Sequence, residues 1–147
     1  MVSRKGLVLA GVAIVFGAGY IIGTRSQGIQ DAEAQSASRV FELRTYTTPE
    51  GKLPDLQARF RDHTMSLFEK HGMTNIGYWT PQDEPNSANT LVYIIAHESR
   101  EAAAASWEAF GVDEEWMRVA RASQANGLIV RGVVSVFLDP TDFSPIK

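Results

Sequence analysis

Past residue 38 the chain changes its hydrophobic period from segment to segment. From Val40 to Thr47 side chains alternate, with Phe41, Leu43 and Thr45 on one side and Glu42, Arg44 and Tyr46 on the other. This is the pattern of a strand with one apolar face. The Thr-Thr-Pro-Glu-Gly run at 47–51 breaks it as a turn. From Leu53 to His71 the spacing lengthens to threes and fours. Leu53, Leu56, Phe60, Thr64, Leu67 and Phe68 form an apolar stripe, with Pro54 in the first turn and Gly72 just past the end. Arg59, Arg61, Asp62, Glu69 and Lys70 are assigned to the opposite face of this predicted helix. Ile76, Tyr78 and Trp79 mark a short strand within 74–80, and 81–87 is a loop. Thr90–His97 is β-branched and apolar on both faces, which predicts a central strand. Ser99 caps an Ala-rich helix through Phe110. Asp113 restarts it after Gly111, with Glu114 and Glu115 in the first turn, and Asn126-Gly127 ends it. Leu128–Leu138 is predicted as the last strand, alternating at Val134, Val136 and Leu138 and stopped by Asp139-Pro140.

The order β-α-β-β-α-β predicts an α+β, ferredoxin-like domain, with two helices on one face of a four-stranded antiparallel sheet. The last two strands are apolar on both faces, so the second face of the sheet needs a cover, and a second copy of the chain supplies one. The domain is expected to be a homodimer.

The first 38 residues read differently. Arg4 and Lys5 precede an uncharged run from Gly6 to Thr24, a basic start followed by an apolar segment. Residues 1–25 are therefore a signal peptide or a membrane anchor. The run is longer than the usual apolar core of a signal peptide and slightly short of a comfortable spanning helix. Ala32-Glu33-Ala34 fits a cleavage site but lies far from the run's end. Either way residues 6–24 meet the membrane, and the domain is expected outside the cytoplasm. Residues 26–38 are polar and small, a linker, and the domain spans 39–147.

Composition adds exclusions. A formal net charge of −3 without a basic stripe gives no nucleic-acid surface. The chain has no cysteine, which excludes disulfides, thiolate nucleophiles and Cys-ligated metals. Dinucleotide, P-loop, nucleophile-elbow and zinc-protease motifs do not occur, and the three histidines lack metal-ligand spacing. Neither a metal nor a cofactor is expected.

Several segments of the domain resemble the NIPSNAP family: Phe-Glu-Leu-Arg-Thr-Tyr at 41–46, Arg59-Phe60 with His63 and Leu-Phe-Glu-Lys-His-Gly at 67–72, Ile-Gly-Tyr-Trp at 76–79, Asp-Glu-Glu-Trp at 113–116, and Leu-Asp-Pro-Thr-Asp-Phe-Ser-Pro at 138–145. The one departure is Glu114, where the family pattern has Pro, and both residues suit a helix's first turn. The resemblance runs from about Val40 to Pro145 and implies a dimeric α/β-barrel in which two such sheets close on each other. It implies no single activity, since barrels of this kind include cofactor-independent monooxygenases, haem-degrading enzymes and binding proteins.

Four residues are candidates for a ligand site: His63, Arg44, Tyr46 and Trp79. His63 falls on the apolar stripe, one turn from Phe60 and Leu67, and is expected to face the cleft between helix and sheet. There it is either a general base, haem ligand or hydrogen-bond donor to a ligand, or a core histidine bonded to a carbonyl. Arg44 and Tyr46, with Glu42, line either a cavity or a partly solvated sheet face carrying an Arg–Glu pair. Trp79 is a ligand platform or a core aromatic. His71 is explained by its helix C-terminus, and His97 is expected at a strand edge. The functional expectation is binding of a small apolar molecule in the helix–sheet cleft. The alternatives are a monooxygenase-like enzyme and a non-catalytic interaction module.

Overall fold

A computed structural model of the chain describes residues 39–147; the apolar segment, the linker and the anchor-or-signal reading lie outside the described residues. The strands are β1 (Val40–Thr47), β2 (Thr74–Trp79), β3 (Thr90–His97) and β4 (Gly132–Leu138). They form one sheet in the order β2-β3-β1-β4, every pair antiparallel, as the ferredoxin-like reading expects. The helices are α1 (Leu53–Arg59), α2 (Met65–Lys70), α3 (Arg100–Gly111) and α4 (Glu114–Ser123).

Local chemistry sets most of the boundaries. Ser99 Oγ accepts the Ala102 N–H, the cap that the sequence predicts, and Asp113 Oδ1 accepts the Trp116 N–H, which is how Asp113 restarts the helix. Gly72 takes φ +77°, the left-handed conformation that ends α2. Between α1 and α2, Phe60–Thr64 winds as a π-helix. The last strand is shorter than predicted. Leu128–Arg131 is not strand, and Ile129 leaves the sheet direction to become fully buried in the core.

Pairing register fixes the two faces of the sheet. Arg44 lies opposite Tyr93 on one side and Ser135 on the other, while Leu43 lies opposite Ile94 and Val136. The helices cover the Glu42, Arg44 and Tyr46 face. Leu53, Leu56, Phe60, Leu67 and Phe68 from α1 to α2 and Phe110 from α3 meet Leu91, Tyr93 and Ile95 there, with Ile129 closing the cluster. The helix-covered side of β1 is thus its polar side; on the apolar side Phe41 is buried, but the neighbouring strand β4 is left exposed. Val134 is 62% exposed, Val136 46% and Leu138 38%.

Candidate functional site

Glu42 is the centre of the polar part of the covered face. Its side chain is 1% exposed and its carboxylate accepts from Arg44 Nη1 at 2.5 Å, Ser135 Oγ at 2.6 Å, Trp107 Nε1 at 2.7 Å and His97 Nε2 at 3.0 Å. Burial alone would raise its pKa, but the four donors outweigh burial and hold it at about 2. The Arg–Glu pair expected from the sequence exists, but beneath the helices and not on a solvated face. His97 is corrected as well: it is fully buried on the interior strand β3, because its register opposite Val40 turns it under the helices toward Glu42. Arg44 also lies over the Trp107 ring, 4.2 Å from its centroid, and donates to the Tyr46 hydroxyl. Burial works against its charge, while Tyr46, Tyr93 and Glu42 more than restore it.

Beyond Tyr46 the covered face is filled by rings. Tyr93 stacks on Tyr78 at 5.3 Å and meets Tyr46, Phe60 and Phe68 at 5.4, 5.1 and 6.0 Å. Burial pushes the phenol pKa values of Tyr78 and Tyr93 upward, so both stay protonated, and Tyr78 donates to Asn75 Oδ1. Where this filling ends, between α1 and the edge strand β2, a cleft of about 350 Å³ opens. Phe60, Tyr78, Trp79, Leu91 and Met65 form its walls, and Arg61 lies at its side. Trp79 belongs to the opposite sheet face from Tyr78, with its indole against Gly77; a Cβ there would come within 2.4 Å of the ring, so any larger residue displaces the indole from this position. The ring stays 52% exposed at the sheet edge and bounds the cleft from that side.

His63 is exposed and does not face the helix–sheet cleft. The π turn is the reason. A wider turn advances each residue by a smaller angle, so Thr64 follows Phe60 into the core and His63 is carried outward. It lines instead a groove of about 330 Å³ between α1 and α4, shared with Arg59, Arg118 and Ser123. The four predicted site residues therefore separate: Arg44 and Tyr46 lie together beneath the helices, Trp79 is at the cleft, and His63 is on the outer helical surface. Arg59 was assigned to the solvent face and is 7% exposed. Its place three residues after Leu56, beside Phe60, was the signal that it lies on the buried stripe.

The NIPSNAP family model matches residues 41–145. The chain belongs to the NIPSNAP family. Among solved structures it is similar to a NIPSNAP family protein with unknown function from Agrobacterium tumefaciens str. C58 (21% identity, TM-score 0.64, covering 74% of this chain and 94% of that one). A second NIPSNAP family protein from that organism matches at 20% identity and TM-score 0.65, covering 74% and 99%. An uncharacterized NIPSNAP domain protein from Burkholderia xenovorans matches at 24% identity and TM-score 0.61, covering 72% and 98%. At these identities the likeness is one of fold. A search of the curated proteins finds no match.

Proposed function

We propose that this NIPSNAP domain is a homodimeric binding module, carried outside the cytoplasm by its N-terminal segment, that takes a small and largely apolar molecule into the cleft between α1 and β2. The observation that carries this reading is the cleft itself. It has aromatic walls from Phe60, Tyr78 and Trp79, a volume in the range of small-ligand sites, and an open mouth. Binding is favoured over turnover by the lining chemistry. Tyr78 is held protonated, and the other residues of the cleft offer no carboxylate, imidazole or thiol to move a proton.

The dimer reading rests on the bare face. Val134, Val136 and Leu138 expose the same face of β4, which one chain leaves uncovered, and a second sheet of the same kind is the simplest complement.

Met65→Trp fills the cleft from a half-buried helical position. An apolar fluorescent probe such as anilinonaphthalene sulfonate is expected to bind the parent chain saturably and the variant at least about tenfold more weakly, at unchanged melting temperature. Equal binding by both would remove the cleft as the site. A reporter fused after Ser38 is expected to be active only outside the cytoplasm.

A further inference from the structure

A buried arginine of the helical layer has no acid to balance it. Arg59 is 7% exposed, and among the described residues no carboxylate lies within ion-pair distance of it. Its Nε has no hydrogen-bond partner, and Nη1 reaches only Ser123 Oγ at 3.5 Å, an oxygen that itself donates to the Ala120 carbonyl. A guanidinium carries five N–H donors, so most of its bonding capacity is unmet. The Trp116 ring lies 5.1 Å from its charge and offers only a weak substitute. Arg44 is the contrast on the same side of the sheet, since Glu42 answers it directly. Burial pulls the Arg59 pKa down, as it must where no counter-ion compensates.

The Arg59 guanidinium turns toward one groove through its contact with Ser123 Oγ, a residue of that groove's wall. It lines the groove of about 330 Å³ between α1 and α4, with Arg118, His63 and Ser123, and with Asp55 and Asp62 on the same walls. Asp55 is occupied by Lys52 Nζ at 3.0 Å. The groove therefore offers two arginines against one unpaired carboxylate, Asp62. An arginine fork fits a planar oxyanion in two parallel hydrogen bonds. A phosphate dianion would meet Asp62 and Asp55 with twice the charge, whereas a monocarboxylate meets them with one.

We propose that this groove is a second binding site, separate from the apolar cleft, for a small carboxylate-bearing molecule. Arg59 anchors the carboxylate from within the fold, Arg118 closes on it from α4, and His63 and Ser123 border it. The assignment gives Arg59 the counter-charge that the protein itself withholds.

The test uses the full chain in mild detergent, with sodium acetate, sodium phosphate and sodium chloride compared at equal ionic strength. Arginine Nε–H resonances and the melting temperature are the readouts. Acetate is expected to shift one buried arginine resonance saturably and to raise the melting temperature above that in chloride. Phosphate is expected to act less. Arg59→Met is expected to keep or raise the melting temperature, because it removes an uncompensated buried charge, and to abolish the acetate response. Arg118→Gln, an exposed position that leaves the fold intact, is expected to weaken acetate binding about tenfold. Acetate acting no differently from chloride, or an acetate response that survives either substitution, would overturn the site. A larger response to phosphate would overturn the carboxylate assignment.

Discussion

The two faces of this sheet solve the problem of burial in opposite ways. Under the helices, β1 presents Glu42, Arg44 and Tyr46, and burial is tolerable because the central charge is answered: Glu42 takes four donors, while Arg44 Nε, His97 Nδ1 and the Tyr93 hydroxyl stay without a protein partner among the described residues. On the other face the same strand presents Leu43 and Thr45 beside Val134 and Val136, and there the single chain buries Phe41 but leaves the valines of β4 in need of a cover. The covered face is specific and intolerant of change. The bare face is generic, and its cost falls on whatever docks there. The difference teaches that apolar patterning alone does not say which side of a strand faces the helices. Where a buried network can satisfy every charge, the helices can lie over the polar side.

The largest expected effect comes from breaking the network at its centre. Glu42→Ala leaves the donors of Arg44, Trp107, His97 and Ser135 without their acceptor, and a buried ion pair broken from one side costs about 3–5 kcal/mol. Denaturant unfolding is the measurement. A loss under about 1 kcal/mol would mean that water replaces the carboxylate and that the face is not truly sealed.

Acid probes the same carboxylate without mutation. Its folded-state pKa, at about 2, lies below the usual 4.5. The stability it contributes is therefore present above pH 4.5 and is lost as the pH falls from there through about 2. The loss should be on the order of 3 kcal/mol. Glu42→Gln should flatten that part of the pH–stability curve, and an unchanged acid limb in the variant would assign it to other groups.

The bare face is broken by charge. Val136→Lys is expected to spare the fold of each chain, because the side chain is half exposed, and to weaken self-association about ten- to a hundredfold. Light scattering across a dilution series reads this directly. A parent chain that stays monomeric at micromolar concentration, or a variant that dimerises as well as the parent, would reject a second copy as the cover and leave another protein as the occupant.

How far the sequence carries these conclusions depends on the residue. The β-α-β-β-α-β order, the caps at Ser99 and Asp113 and the end at Gly72 were legible, because each follows from local spacing or one hydrogen bond. The NIPSNAP family was legible separately, as a resemblance carried by segments that follow one another in order along residues 41–145. The partnership of His97 with Glu42 was not, because it joins residues 55 apart in sequence and depends on strand register. Nor was the π turn at Phe60–Thr64, since a strict 3.6-residue period places His63 inside. The early end of sheet pairing at Leu128–Arg131 was hidden by a continuous apolar run. Ile129 serves the core there and the ladder gains nothing from it.

The smallest expected effect sharpens the comparison most, because it separates two sites on one helix. His63 is exposed on the outer surface, so His63→Ala removes no buried contact and should change stability by less than about 0.5 kcal/mol. It should also leave apolar probe binding in the α1–β2 cleft unchanged, because the π turn points it away from Phe60 and Tyr78. Its effect should be confined to the Arg59 groove, which it borders, as a modest weakening of acetate binding. A melting curve, a probe titration and an acetate titration on one variant distinguish the outcomes. A stability loss of about 1–3 kcal/mol would return His63 to the core and discard the outward turn. A loss of probe binding without a loss of stability would join the two sites into one and make His63 part of the cleft after all.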